Sequence, residues 1–345
     1  MRAWQVTEHG RPRDVLRLDD VEIPEPAAGE VRVRVDAVTL NFNDIDGIYG
    51  RYRTVPVPAP YIPGMEVLGV VEAAGAGGES LLGRRVVAIP SGAYGGYAEF
   101  AVAPVAMTFA MPEAIPAPEA GAILMPFHLA ALSLYTRARL VAGETVLIHA
   151  AAGGVGSAAV QLARTAGAHV IALAGSAEKA RFCAQLGADV AIDTSAADFV
   201  AGALEATGGR GVDVAFDTIG GEITTRTFGC MAFGGRHVLA GFASGIEAED
   251  EGMVPRPILF GNFSLVGVCL AYVEDPLAVR QAVGSNFLSR ADAEALHTRI
   301  LDLIATGSVR PVVGLDVPFE ELPAALDAME RRQTVGRIVI RVGEP

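Results

Sequence analysis

Hydrophobic and polar positions follow two rhythms along this chain, and the change between them near residue 120 predicts two kinds of domain. Toward the N-terminus the period is two. Met1-Arg2-Ala3-Trp4-Gln5-Val6 and Val31-Arg32-Val33-Arg34-Val35 alternate as half-buried strands do. Val67-Leu68-Gly69-Val70-Val71 and Arg85-Val86-Val87-Ala88-Ile89 are short strands between glycine and proline breaks. Together they predict a small barrel or sandwich over residues 1–120, with the proline-rich Met111 to Pro118 as a connector. From 121 to 274 the strands lose their polar positions: Thr145 to Ile148, Ala168 to Leu173, Asp189 to Ile192, Val212 to Phe216, Gly235 to Leu239 and Ser264 to Leu270. Apolar strands alternating with helices are buried on both faces, so this part predicts an α/β fold with a doubly wound parallel sheet. Beyond it come helices near Leu277 to Phe287 and Ala291 to Ile304, an apolar segment Val309 to Val317, a helix Glu320 to Arg331 and a last strand Arg337 to Ile340. This tail, 275–345, is predicted to complete the first domain.

The first of the apolar strands runs into His149-Ala150-Ala151-Ala152-Gly153-Gly154-Val155-Gly156, after which Val160, Leu162 and Ala163 mark the core face of a helix. Strand, tight turn and helix in that order form a dinucleotide fingerprint, with Ala151 in the first glycine position and Gly153 and Gly156 in the others. Such a turn lets a pyrophosphate approach free N–H groups and the positive end of the helix dipole. The bland reading, glycines used only for close helix packing, loses ground because repeated βα units follow.

Composition narrows the partners. The 345 residues carry a formal charge of −13, which disfavours nucleic acid or an anionic membrane as the main partner. The N-terminal strand has no signal-peptide core and no apolar run is long enough for a membrane span, so the expectation is a cytoplasmic protein. Cys183, Cys230 and Cys269 have no paired spacing and read as buried thiols. The acidic segment Glu247 to Gly252 reads as a solvated loop. Of 27 basic residues, Lys179 alone is lysine.

Several stretches resemble one family. They are Asn41-Phe42-Asn43-Asp44 leading to Tyr49-Gly50-Arg51-Tyr52, then Ile62-Pro63-Gly64-Met65-Glu66-Val67-Leu68-Gly69, the turn at Gly153 to Gly156, and Gly187-Ala188-Asp189. The chain is similar over nearly its whole length to the zinc-free quinone oxidoreductases, the zeta-crystallin-like group of the medium-chain dehydrogenase/reductases. The resemblance implies a chaperonin-10-like catalytic domain beside a Rossmann domain, and a homodimer. It also places Asn41, Met65 and, approximately, Met125 where zinc alcohol dehydrogenases carry their metal ligands. An amide and two thioethers are poor zinc ligands, so no metal is expected. Reduction of a quinone or an α,β-unsaturated carbonyl needs no Lewis acid; an enoyl-thioester reductase, or a low-turnover NADPH-binding structural or sensor protein, is the alternative.

Charge argues for NADP(H). Where NAD-specific relatives carry a carboxylate after the second strand, this chain reads Leu173-Ala174-Gly175-Ser176. Ser176 and Lys179 offer a hydroxyl and a cation to a 2′-phosphate, although Lys179 could equally be a solvated helix residue. The resemblance adds Arg332 from the tail, while Thr194 stands where close relatives often place a phosphate-binding tyrosine. It also implies Asn41, Asp44 and Tyr52 as catalytic residues, with Tyr52 the proton donor. Asp44 has a structural alternative as a helix cap, and Asn41 as a partner for backbone. His128 and Trp4 read most simply as core residues.

Overall fold

The computed structural model describes residues 1–244, 246–248 and 250–343. Two compact units emerge: Met1–Met125 with Ala271–Thr298 and Val313–Pro345, and Pro126–Leu270 with Arg299–Val312. The expected tail 275–345 is therefore not all in the first unit, because the stretch Arg299–Val312 packs with the second.

In the first unit the period-two pattern places Val31, Val33 and Val35 in the core while Arg34 points to solvent. A seven-stranded sheet runs Val313–Pro318, Arg337–Arg341, Glu30–Thr39, Val67–Ala74, Arg85–Ala88 and Thr108–Ala110, with Phe100–Pro104 paired to Glu30–Thr39. The tail strand Arg337–Arg341 is antiparallel to Glu30–Thr39, which sets Val339 opposite Thr39 and delivers Arg337 to the same end of the sheet. Where Val67–Ala74 crosses Glu30–Thr39, a Cβ at Gly69 would lie 2.0 Å from the Arg34 carbonyl oxygen. Only glycine fits there.

The second unit is a six-stranded parallel sheet ordered Val190–Asp193, His169–Ala174, Thr145–Ile148, Val212–Asp217, Met231–Leu239, Ser264–Gly267. Numbered within the unit this order is 3-2-1-4-5-6, so the chain reverses direction across the sheet between Thr145–Ile148 and Val212–Asp217. Ligands of open α/β sheets bind at the carboxyl ends of strands beside such a reversal.

Some expectations are corrected. The last strand ends at Gly267 instead of Leu270, and its Ser264 and Gly267 are exposed, so it is not buried on both faces. The predicted helix from Leu277 to Phe287 is Pro276–Val283, closed by Gly284 in the left-handed region (φ 76°). Cys183 and Cys230 are buried as expected, but Cys269 is exposed. π-helical turns at Leu124–His128 and Leu132–Arg137 had no counterpart in the sequence pattern. Within the acidic segment Glu247 to Gly252, Glu249 lies outside the described residues. Among the described residues no helix is long and apolar enough to cross a membrane.

Replacing Gly69 by alanine should cost at least about 2 kcal/mol, because backbone must move to clear the collision. Chemical denaturation checks this; an unchanged midpoint would show that the two strands separate without penalty.

Candidate functional site

The glycine turn stands at the sheet's reversal point. Val146, Leu147 and Ile148 are fully buried, which anchors the strand, and the chain then turns through Ala150 in the left-handed region (φ 47°). Gly153 N–H donates to Ala150 O at 2.9 Å and Ala151 N–H to Leu173 O at 2.9 Å, fixing the turn between the first two strands of the unit. Ala151 is fully buried, so its methyl group fits at the first fingerprint position. Gly156 has no such freedom, since a Cβ would lie 2.2 Å from Ala150 O and 2.7 Å from Ala151 Cα. The helix Gly154–Thr165 begins here with Gly153 as its N-cap. The N–H groups of Gly154, Val155 and Gly156 have no carbonyl a turn earlier to bind, and the helix dipole adds positive potential. These residues fit a pyrophosphate: donors face outward and little side-chain bulk stands before them.

At the end of the second strand, Gly175 is exposed and a Cβ there would touch nothing within 4 Å. Ser176 caps the helix Ala177–Leu186, its Oγ accepting from the Lys179 N–H at 3.3 Å. That bond uses the hydroxyl as acceptor and leaves its own proton to donate elsewhere. Lys179 is half-buried in the first turn of that helix, and Thr194 Oγ1 donates to Ala174 O at 3.2 Å. Arg332 belongs to the other unit, just past the helix Leu322–Glu330, and is left-handed (φ 57°). Its N–H donates to Met329 O at 2.9 Å and that of Gln333 to Ala328 O at 3.0 Å, a helix-closing pattern in which glycine is usual.

Asp217 was not singled out from sequence. It ends the strand on the other side of the reversal and is fully buried. Its Oδ1 accepts from Ile219 N–H at 2.8 Å and Gly220 N–H at 3.1 Å; its Oδ2 accepts from Thr224 Oγ1 at 2.5 Å and pairs with His237 Nε2 at 3.1 Å. Burial pushes the carboxyl up, but the His237 hydrogen bond and its other partners outweigh burial and hold it well below the carboxylate range. Nearby, burial lowers His149 to about 4, so it is neutral at pH 7, and its Nε2 lies 2.9 Å from Thr227 Oγ1. The loop after the strand is thereby tied down by a carboxylate inside the sheet's end.

In the first unit, Asn41 and Asp44 come together. Asn41 is the N-cap of the helix Phe42–Tyr49 and Asp44 is its N3 residue, whose Oδ2 accepts from the Asn41 N–H at 2.8 Å. Both are buried. Asn41 Nδ2 donates to Thr39 O at 3.3 Å and its Oδ1 accepts from Arg337 Nη1 at 2.8 Å. Arg337 Nη2 also pairs with Glu66 Oε2, whose carboxylate accepts from Thr39 Oγ1 and, at 2.7 Å through Oε1, from Met125 N–H. Tyr97 OH donates to Asp44 Oδ2 at 2.8 Å. Burial raises Asp44 to about 6 against the lowering influence of Tyr97, Asn41 and Arg337. Burial and the Asp44 charge drive Tyr97 well above the usual tyrosine range.

Tyr52 OH donates to Asn43 O at 3.3 Å, on the helix that Asn41 caps. Tyr61 joins it there: a Cβ at Gly47 would lie 3.1 Å from Tyr61 OH and 3.8 Å from Tyr52 Cε2, so two phenols meet over one glycine. The Tyr61 hydroxyl is buried without a hydrogen-bond partner, and its spacing from Tyr52 carried no sequence signal. His128 is fully buried, and Trp4 Nε1 donates to Phe319 O at 3.0 Å.

Asn41 bonds Arg337 and the Met125 N–H bonds Glu66, and the donor set of Asn41, Met65 and Met125 does not suit zinc: the amide is engaged on both sides and the other two groups are thioethers. Among the described residues no three His, Cys, Asp or Glu side chains gather in a metal-holding group.

A six-stranded sheet of this order with a glycine turn at its reversal, joined to a β-rich unit with a buried polar cluster, defines a two-domain dehydrogenase/reductase fold. Residues 27–113 match the alcohol dehydrogenase GroES-like domain family and residues 154–284 the zinc-binding dehydrogenase family. Rat (Rattus norvegicus) quinone oxidoreductase is 31% identical over 344 residues, covering 99% of this chain and 97% of that protein. Among solved structures, the Thermus thermophilus quinone oxidoreductase, also solved with NADPH, is 33% identical with a TM-score of 0.75, covering 99% of this chain and 100% of the other. An NAD-dependent alcohol dehydrogenase is 30% identical with a TM-score of 0.83 over 99% of this chain and 100% of the other. The chain belongs to the quinone oxidoreductase group of the medium-chain dehydrogenase/reductase superfamily.

The Asp44 shift sets a pH dependence. A carboxyl raised from its ordinary 3.8 to about 6 on folding contributes stability that is complete below the unfolded value and is lost as pH rises through the folded one. Asp44→Asn removes that loss, so its stability relative to wild type should improve by on the order of 2 kcal/mol between pH 4 and pH 7. Urea melts across that range decide; a constant difference would mean that Asp44 does not titrate there.

Proposed function

We propose that this protein is an NADPH-dependent reductase that delivers hydride to a quinone or an α,β-unsaturated carbonyl without zinc. The observation that carries the reading is the end of the second strand: exposed Gly175, capping Ser176 and half-buried Lys179, with no carboxylate at the strand end itself, Glu178 falling in the first turn of the following helix. A 2′-phosphate is favoured where a diol-binding acid is absent and a cation and a hydroxyl are present. NADPH complexes among similar structures support this cofactor, and the quinone oxidoreductase relatives support the substrate class. Bound nicotinamide supplies the hydride. The chain's own part is to hold the pyrophosphate on the Gly153 to Gly156 turn, to offer Ser176, Lys179 and Arg332 as partners for the 2′-phosphate, and to orient the substrate carbonyl. Tyr52, hydrogen-bonded to Asn43 O, is the proton donor in this reading, while Asn41 and Asp44 hold the start of the helix that carries Asn43.

The decisive experiment is turnover with NADPH and NADH against small quinones, enones and enoyl thioesters, in the presence and absence of chelator. Quinone or enone reduction that survives the chelator supports the proposal. Preference for enoyl thioesters would move the substrate assignment, binding without turnover would indicate a sensor or structural protein, and chelator-sensitive activity would overturn the metal-free mechanism.

Cofactor choice gives a sharper measurement. A charge-assisted contact contributes on the order of 1.5–3 kcal/mol, so Lys179→Ala should raise KM for NADPH at least about tenfold and leave NADH nearly unchanged. Arg332→Gly should weaken NADPH in the same direction yet raise thermal stability by about 1 kcal/mol, because glycine relieves the left-handed backbone. Equal losses with both cofactors would assign these residues to structure.

A homodimer is part of the same proposal. Ser264–Gly267 is the edge of its sheet, and Gly234 N–H bonds Asn262 O at 2.8 Å, which brings the start of the strand Met231–Leu239, bearing Phe233, next to the end of the helix Arg256–Gly261. Phe233, Leu259 and Phe260 are 85%, 70% and 67% exposed. An unpaired edge beside exposed aromatic surface is a template for a second copy. Sedimentation at micromolar concentration should show a dimer or a multiple of it, which a stable monomer would contradict.

A further inference from the structure

Beside Tyr52 the first unit carries two more tyrosines whose placement the proposed reaction does not use. Tyr61 meets Tyr52 over Gly47, and Tyr61 and Tyr94 pack edge to face with ring centroids 6.0 Å apart and planes at 76°. Glycine is the least favourable helix residue after proline, yet Gly47 stands inside the helix Phe42–Tyr49, where a Cβ would crowd the Tyr61 hydroxyl at 3.1 Å. The loop that bears Tyr94 is equally particular. Gly92, Ala93 and Gly95 are all in the left-handed region (φ 71°, 64° and 98°), and an alanine there is strained. Backbone bonds hold it in place: Gly95 N–H donates to Ile62 O at 2.8 Å and Gly96 N–H to Gly64 O at 2.9 Å, so the segments carrying Tyr61 and Tyr94 are tied together next to their rings. Tyr94 is nonetheless 40% exposed. A pinned loop thus keeps a large aromatic ring in water, close to the proposed proton donor, instead of burying it.

We propose that Tyr94, backed by Tyr61, is a specificity-determining residue: its ring stacks on a flat, fused-ring quinone of the naphthoquinone class and favours it over acyclic enones. The inference rests on the reductase reading with Tyr52 as proton donor, and narrows its substrate class. Quinone rings are electron-poor and the face of a phenol is electron-rich, so offset stacking between them is attractive beyond the apolar area it covers. Pre-organisation adds to this, because a ring on a pinned loop loses little freedom when the substrate arrives. An acyclic enone has no second ring to cover Tyr94 and forgoes both gains.

Steady-state turnover of the full-length protein with NADPH, comparing 1,4-naphthoquinone with methyl vinyl ketone, tests it. Tyr94→Ala should lower the naphthoquinone-to-ketone ratio of kcat/KM about fivefold or more, with the loss falling on KM for the quinone, and Tyr94→Phe, which keeps the ring, should restore the ratio. An unchanged ratio in Tyr94→Ala would overturn the proposal while leaving the reductase reading in place. So would a Phe variant as impaired as the Ala variant, since the hydroxyl and not the ring would then set the preference. Should the protein turn over neither substrate, the reductase reading fails by itself, and isothermal titration with 1,4-naphthoquinone decides the ring contact. Binding weakened about fivefold by Tyr94→Ala supports it, whereas absent or unchanged binding overturns it. Should Tyr94→Ala fail to fold, Tyr94→Leu, apolar but not aromatic, takes its place in both measurements.

Discussion

The buried pair of Arg337 and Glu66 is the contact on which the first unit's polar interior depends. Removing both charges from water is expensive, and the surrounding hydrogen bonds offset the cost, although Arg337 Nε is buried with no hydrogen-bond partner among the described residues. Glu66 receives Thr39 Oγ1 and the Met125 N–H, and Arg337 also reaches Asn41 and Thr39. These bonds tie the tail strand, the end of Glu30–Thr39, the start of Val67–Ala74 and the chain at Met125 to one point. Loss of either partner alone would strand the other charge, which is why the last few residues of the chain belong to the same core as the first forty.

That pair marks the boundary of what the sequence discloses. Strands are legible where the period is local, as in Val31 to Val35 or Thr145 to Ile148, and the glycine turn is legible because three residue types at fixed spacing have one physical use. The Asn41–Asp44 cap is legible too, since a capping box spans four consecutive residues. Arg337 and Glu66 are 271 residues apart, and nothing near either one signals the other. Tyr97, Tyr61 and Asp217 escaped notice for the same reason: each acquires its character from what folding brings against it. The reading of Asn41 and Asp44 as chemistry and the reading of them as a cap also turn out to describe one arrangement. The residues that start the helix are buried polar groups, and Tyr52 bonds the carbonyl of Asn43 within its first turn.

Both units solve the same problem at their strand ends. Asp217 in the sheet of the second unit and Glu66 in the first are fully buried carboxylates at the point where a strand meets a turn. Each accepts from backbone N–H groups as well as side chains. A carboxylate in that role pins a loop more firmly than neutral acceptors can, because hydrogen bonds to charge are shorter and stronger. A turn or helix start fixed in this way loses little freedom when a ligand arrives.

The non-glycine residues in the left-handed region sharpen this view of pre-organisation. Ala150 and Arg332, with φ of 47° and 57°, occupy positions where glycine would be cheaper by about 1 kcal/mol. At Ala150 the conformation is over-determined: its carbonyl holds Gly153 N–H, and the next N–H is bound by Leu173. An alanine there narrows the unfolded chain's options, recovering some of the strain. Arg332 has no such explanation in its backbone, since the helix-closing bonds around it would form as well or better with glycine. The reason for a non-glycine residue here therefore points to the side chain, whose planar guanidinium on a helix end can hold a partner in a fixed orientation.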